Sequence, residues 1–113
     1  MHPAGRYNPP MSDNAPLSIE GFQDHIRERY LATDKARGTP GTFMWFIEEV
    51  GELATALHKA AGEGTATSGG ENLEEEFADV FAWLCTLANI NDIDLAAAVR
   101  NKYIANGSPE GSK

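Results

Sequence analysis

The feature that most constrains the fold is a segment of helical periodicity with an acidic edge. Between Gly41 and Ala61, apolar side chains recur at the three- and four-residue spacing of one helix face. They are Phe43, Phe46, Ile47, Val50, Leu53, Ala54 and Leu57. Glu49 and Glu52 lie three residues apart on a neighbouring stripe, with Glu48 at its edge. The segment is therefore predicted to be a helix with one apolar face and one acidic face.

A second segment, from Leu73 to Leu87, repeats this design. Its apolar stripe consists of Leu73, Phe77, Val80, Leu84 and Leu87. Glu76 and Asp79 are again three residues apart. They lie on the same side of their apolar stripe as Glu49 and Glu52 do in the first segment. If the two apolar stripes pack together, both acidic pairs can face one shared space, and this is the arrangement that we expect.

Each acidic pair has a tryptophan one helical turn away. Trp45 precedes Glu49 and Trp83 follows Asp79, while Lys59 lies two turns after Glu52. Tryptophan at helical spacing is most often a core or subunit-interface residue, but an aromatic face can also stack on a nucleobase. Lys59 either neutralises phosphate or pairs with a carboxylate.

The rest of the chain adds two further predicted helices. The four predicted helices span Ile19 to about Thr33, the Gly41–Ala61 segment, about Glu71 to a break at residues 89–92, and Ile93 to about Asn106. Ser18 is the predicted cap of the first helix, and Asn91 or Asp92 of the fourth.

Two stretches are predicted to connect helices. Residues 34–40 are interpreted as a loop closed by Gly38 and Pro40, in which Lys35 and Arg37 are solvated in preference to contacting phosphate. Residues 62–70 are rich in Gly, Ser and Thr and form the second predicted loop.

The predicted architecture is all-α, a four-helix bundle in a single domain. Residues 18–106 form the domain, with disordered tails at residues 1–17 and 107–113. The apolar surface exceeds what a short bundle can bury, so we expect a tight homo-oligomer.

Composition excludes several classes of function. A net charge of −8 argues against generic nucleic-acid binding, which needs a basic surface, but permits a nucleotide substrate beside a divalent cation. The single cysteine, Cys85, allows neither an internal disulfide nor a zinc framework and is interpreted as a core residue. The sequence shows no membrane span or signal peptide, so a cytoplasmic location is expected.

Four carboxylates beside an apolar core repel one another unless something neutralises them. Raised pKa values would do so, and so would bound cations. Oxygen ligands without Cys or His favour Mg²⁺, or Mn²⁺ as a substitute, over zinc. A single acidic pair is usually just a solvated face; two matched pairs favour a site for phosphate chemistry.

Glu49-Val50-Gly51-Glu52 followed by Glu76-Phe77-Ala78-Asp79 resembles the ExxE…ExxD signature of the MazG-type, all-α nucleoside triphosphate pyrophosphohydrolases. Lys102 to Asn106 on the last predicted helix resembles the downstream K-x-x-x-N element of that family. The resemblance implies a Mg²⁺-dependent hydrolase that cleaves (d)NTPs between the α and β phosphates. It also implies assembly as a homodimer or homotetramer.

Residue roles follow from the matched positions. The resemblance implies that the metal ligands are Glu49, Glu52, Glu76 and Asp79, and that Lys102 and Asn106 contact phosphate or sugar. Glu48 matches the position of the general base in some members, although a plain surface glutamate explains it equally well.

Three alternatives compete with this interpretation. One is a phosphoribosyl-ATP pyrophosphatase of histidine biosynthesis, which belongs to the same superfamily. The second is a non-catalytic helical oligomer that a bound cation stabilises, and the third is an acidic protein-interaction module.

Overall fold

The computed structural model describes residues 15–63, 73–105 and 107, and every regular element in these ranges is helical. Helix α1 spans Ile19–Glu63, α2 spans Leu73–Ile90, and α3 spans Leu95–Val99 with a π-helical extension over Arg100–Ala105. The all-α class is thus confirmed. Most of both predicted tails and most of the predicted second loop lie outside the described residues.

Helix α1 consists of two helices that meet at a single break at Gly38. Ser18 caps its start as predicted, because Ser18 Oγ accepts a hydrogen bond from the Gly21 N–H at 2.9 Å. The predicted break between the first two helices is present, but the predicted loop at residues 34–40 is too long, since only Gly38 leaves helical geometry (φ 80°, ψ 172°). Glycine adopts positive φ at little cost, so one residue is enough to redirect the chain. The helix resumes at once because Pro40 falls in a first turn, where its missing N–H costs nothing.

We call residues 19–37 the first arm of α1 and residues 39–63 the second arm. Helix α2 contacts both arms. Phe22 of the first arm stacks on Phe81 with ring centroids 5.7 Å apart, and Trp45 of the second arm stacks on Trp83. Cys85 is fully buried, which confirms its assignment to the core.

The face of the second arm that becomes buried differs from the predicted one. Its buried and half-buried residues include Thr42, Phe46, Glu49, Leu53, Ala56 and Ala60. This set alternates steps of four and three residues, as a helix contact seam does. Much of the predicted apolar stripe is exposed instead: Phe43 is 50% exposed, Ile47 49% and Leu57 43%.

Helix α2 shows the same shift, with Phe77 53% exposed and Leu84 39% exposed. The prediction that the two apolar stripes pack on each other within one chain is therefore wrong. Small side chains explain the preference, because Thr42, Ala56 and Ala88 are buried where bulkier residues would hold the helices apart. Glu49 and Glu76 consequently lie in the seam, whereas large apolar residues such as Phe43, Ile47 and Phe77 face outward.

The last helical segment starts later than predicted. Asp94, not Asn91 or Asp92, caps α3, and its Oδ1 accepts a hydrogen bond from the Ala97 N–H at 3.1 Å. The short α-helix then becomes π-helical over Arg100–Ala105, and Gly107 has positive φ. A regular four-helix bundle is not confirmed, because two predicted helices are joined into α1 and the fourth is short. Within the described residues no helix has the length and apolarity to cross a membrane.

Candidate metal and substrate site

Three carboxylates from two helices meet in the seam. Glu49 of the second arm, Glu76 and Asp79 of α2 each offer an oxygen, and these oxygens lie within 4.8 Å of one another. We call these three residues the acidic cluster. Helical spacing of three residues puts Glu76 and Asp79 on one face of α2, and the packing of the second arm brings Glu49 against them.

The acidic cluster is unevenly buried. Glu76 is only 3% exposed, Glu49 is half-buried and Asp79 is exposed. Oε1 of Glu49 is buried and, among the residues described, has no hydrogen-bond partner. Burial raises the pKa of Glu49 above its usual value of 4.5, and the charges of Glu52, Asp79 and Glu48 raise this pKa further. An anionic Glu49 is thus destabilised unless a cation reaches it.

This donor set suits a hard divalent cation. All the ligand atoms are carboxylate oxygens, which Mg²⁺ and Mn²⁺ prefer, and one of them is buried without a donor. The structure brings together three of the four predicted ligands. Glu52 is exposed and lies outside the cluster, yet its charge acts on the pKa of Glu49.

The two tryptophans meet next to the acidic cluster. Trp45 and Trp83 stack with ring centroids 6.2 Å apart and an angle of 11° between their planes. Each stands one helical turn from a cluster carboxylate, and because the two helices run in opposite directions, both turns lead to the same end of the seam. The structure therefore places an aromatic pair at one side of the acidic cluster.

Arg37 is a site residue that the sequence interpretation missed. Its Nη2 donates to Asp34 Oδ1 at 2.6 Å, its Nε donates to Thr42 Oγ1 at 3.0 Å, and its guanidinium carbon lies 5.0 Å from the centroid of the Trp83 ring. Its assignment as a solvated loop residue is wrong, whereas Lys35 is exposed as expected. The i, i+3 spacing of Asp34 and Arg37 was the available signal, but it is meaningful only if residues 34–37 are helical.

The other predicted catalytic and substrate-binding residues differ in their exposure. Glu48 is exposed and lines a cleft of about 570 Å³ together with Arg37 and Trp45. Lys59 is half-buried. Lys102 is exposed, and its recorded contact is with the ring of its neighbour Tyr103, 5.7 Å from Nζ to centroid, rather than with the acidic cluster. Asn106 lies outside the described residues.

Comparison with protein families decides how this arrangement is to be classified. The model of the MazG nucleotide pyrophosphohydrolase domain matches residues 39–105, well over half of the chain. The chain belongs to this family. A search of curated proteins gives no significant match.

The MazG match begins at the second arm and ends at the π-helical extension of α3. It contains the acidic cluster and both tryptophans. Asp34 and Arg37 precede it, so the first arm adds polar groups to the site from outside the matched region.

Proposed function

We propose that this MazG-family protein is a Mg²⁺-dependent nucleotide pyrophosphohydrolase. It cleaves (d)NTPs between the α and β phosphates to give a (d)NMP and pyrophosphate, and it removes unwanted nucleotides from the cellular pool. The observation that carries this proposal is the acidic cluster inside the matched domain, with Glu49 Oε1 buried and unpaired among the described residues.

The acidic cluster holds the cation in this proposal. Glu49, Glu76 and Asp79 supply ligands directly, and Glu52 completes the negative environment or joins them. A bound Mg²⁺ neutralises phosphate charge and makes water a better nucleophile. Mn²⁺ is the expected substitute, because it takes the same oxygen ligands.

Glu48 is the proposed general base. It is exposed, adjoins Glu49 in sequence and lines the cleft beside Trp45, where it can accept a proton from water. Trp45 and Trp83 lie on the side of the cluster where the base of the substrate is expected. Lys59 remains a candidate contact for phosphate.

Lys102 and Asn106 are the proposed contacts for phosphate or sugar. Lys102 is exposed, and its Nζ lies 5.7 Å from the centroid of the Tyr103 ring. Self-association is proposed on separate grounds, since Phe43, Ile47 and Phe77 are each about half exposed on the outward faces of two neighbouring helices. Apolar surface of this kind favours a homodimer or homotetramer.

A product assay tests the proposed reaction. Purified protein is incubated with a panel of NTPs, dNTPs and phosphoribosyl-ATP, with Mg²⁺ or with a chelator, and pyrophosphate and orthophosphate are measured separately. We expect pyrophosphate from at least one nucleoside triphosphate, only when the cation is present. Preferential hydrolysis of phosphoribosyl-ATP would support the biosynthetic alternative, and orthophosphate release would show that a different bond is cut.

Absence of turnover with every substrate would contradict the enzymatic proposal. If the cation still raised the melting temperature in that case, the protein would be a cation-stabilised helical oligomer without activity. For the variants described below that remove a carboxylate charge, Glu28→Gln is the matched control, because Glu28 is an exposed carboxylate on the first arm.

A further inference from the structure

A second cavity lies between the first arm and α2, next to the tryptophan pair. Its volume is about 300 Å³, and its lining includes Asp34, Arg37, Tyr30, Trp83 and Thr86. This volume is at the lower end of the range for ligand pockets, so it suits a planar ring system better than a whole nucleotide. Aromatic walls with a few polar groups are typical of sites that bind such rings.

Asp34 is the buried carboxylate in this lining whose hydrogen bonds are incomplete. The residue is 4% exposed, and its Oδ1 accepts the hydrogen bond from Arg37. Its other oxygen, Oδ2, is buried and has no hydrogen-bond partner within the part of the chain that the structure describes. A buried acceptor left in this state is costly, and a ligand that donates an N–H group would remove the cost.

Neighbouring groups determine which carboxylate oxygen of Asp34 is left without a hydrogen bond. Arg37 is held by Thr42 and by the face of Trp83, so its bond to Oδ1 has a defined direction. Gly41 makes room for this arginine, because a Cβ added there would come 3.0 Å from Arg37 Cγ. Oδ2 is therefore the oxygen of Asp34 that is left without a hydrogen bond, in a residue that lines the cavity.

The cavity lies at a suitable distance from the acidic cluster for one nucleotide to reach both. Trp83, in the cavity wall, follows Asp79 of the cluster by four residues, which is about 6 Å along the axis of α2. One nucleotide could therefore place its phosphates at the carboxylates and its base in the cavity.

We propose that this cavity is the nucleobase subsite and that Asp34 Oδ2 selects bases that present an exocyclic amino group. This inference rests on the proposed function, because it assumes that nucleotides are the ligands. Cytosine and adenine carry an amino group where uracil and hypoxanthine carry a carbonyl oxygen. The amino group donates to Oδ2, whereas the carbonyl oxygen would face it as a second acceptor and leave it unpaired.

Binding measurements test the selectivity without requiring turnover. Trp45 and Trp83 are the two tryptophans of the chain, and quenching of their fluorescence reports binding at the cavity. Wild-type protein is titrated with the matched pairs dCMP and dUMP, and dAMP and dIMP. We expect the amino-bearing base of each pair to bind about tenfold or more tightly. Equal affinities within both pairs would overturn the inference, and this comparison does not depend on any variant.

Asp34→Asn sharpens the test. The amide keeps an oxygen for Arg37 and presents an N–H donor in place of Oδ2, so the preference should invert toward dUMP and dIMP. Far-UV circular dichroism verifies that the variant is folded, and Glu28→Gln is expected to keep the wild-type ratio. A folded Asp34→Asn variant with the wild-type ratio would contradict the role of Asp34.

The two proposals fail in different ways. Selective binding without release of pyrophosphate from any triphosphate would support the subsite and contradict the proposed reaction. Pyrophosphate release with no discrimination between amino- and oxo-bearing bases would support the reaction and contradict the subsite.

Discussion

Two groups of polar side chains lie along α2, and they differ in how the hydrogen bonds of their buried atoms are satisfied. Gln23 and Asn89 form the first group. Gln23 Nε2 donates to Asn89 Oδ1 at 3.0 Å and to the Ile93 carbonyl at 2.7 Å, and its Oε1 accepts from the Leu95 N–H at 3.0 Å. Asn89 Nδ2 donates to the Gln23 carbonyl at 3.3 Å. This network ties the first arm to α2 and to the start of α3.

The acidic cluster is the second group, and it brings like charges together instead of pairing donors with acceptors. Three carboxylates approach one another, and Glu49 Oε1 is buried with no donor among the described residues. Buried polar groups that are fully paired specify structure, whereas buried anions without donors are costly unless a ligand neutralises them. The contrast indicates that the Gln23–Asn89 network serves the fold, and it supports our proposal that the acidic cluster holds a cation.

The largest expected effect comes from Glu49→Gln. The substitution keeps the shape of the side chain but removes the charge that the cation needs, so we expect kcat/KM for the best nucleotide to fall at least about a hundredfold, or about 2.7 kcal/mol. Helicity measured by far-UV circular dichroism should stay at the wild-type level. Turnover within a few-fold of wild type would remove Glu49 from the site.

Asn89→Ala tests whether the Gln23–Asn89 network stabilises the fold. It removes two hydrogen bonds to Gln23 and leaves a buried amide short of a partner, which is expected to lower the free energy of unfolding by about 1–3 kcal/mol. Urea denaturation measures this loss, and activity per folded molecule should be close to wild type. Asn91→Ala is the exposed counterpart: it removes hydrogen bonds to Thr39 Oγ1 and the Leu87 carbonyl that water can replace, so it should cost less than about 1 kcal/mol.

Added Mg²⁺ should stabilise the protein in a pH-dependent manner. The pKa of Glu49 is raised in the folded chain, so the folded state binds more protons than the unfolded state above pH 4.5, and without a cation stability falls as pH rises through this window. A cation relieves that repulsion and binds the ionised form. At ten times its Kd, Mg²⁺ should add about 1.4 kcal/mol near pH 8 and much less near pH 5.

Thermal melts with MgCl₂, and with NaCl at equal ionic strength, provide the measurement. A stabilisation of the same size at both pH values, or an equal effect of NaCl, would mean that general screening of charge and not a specific site is responsible.

The smallest expected effects come from two glycines of α1. Gly38→Ala places a Cβ at φ 80° and should destabilise the protein by about 1 kcal/mol. Gly51 lies inside the second arm with open space where a Cβ would go, so Gly51→Ala should stabilise by up to about 1 kcal/mol. Paired urea titrations compare the two variants, and a neutral Gly38→Ala would show that the break does not require positive φ.

Helical periodicity was enough to predict the helical class, and the serine before the first helix predicted the cap at Ser18. Glu49 does approach Glu76 and Asp79 as predicted, but not through the packing of apolar stripes from which this approach was expected. Periodicity was not enough to predict which stripe of the second arm is buried. Of the predicted stripe, residues 43, 47, 50, 54 and 57 have the same alternating spacing as the buried and half-buried residues 42, 46, 49, 53, 56 and 60. Phe46 and Leu53 belong to both sets. Hydrophobicity favoured the first set, whereas close packing of small residues favoured the second, and a single sequence does not rank these two effects.

The break at Gly38 explains the other errors. Gly38 and Pro40 are typical loop residues, yet one positive-φ glycine followed by a proline in a first helical turn joins two helices directly. A loop at residues 34–37 gives no reason for Asp34 to pair with Arg37, whereas a helix makes them neighbours. The cavity beside Trp83 was missed for the same reason, because its polar lining comes from that turn of helix.

Isothermal titration of Mg²⁺ into wild-type protein and into Glu49→Gln determines whether the acidic cluster binds a cation, with Asn89→Ala and Glu28→Gln as controls. We expect saturable binding to wild type and to both controls, and a loss of that binding in Glu49→Gln. Equal binding by wild type and Glu49→Gln, or none by either, would show that the acidic cluster is not a cation site.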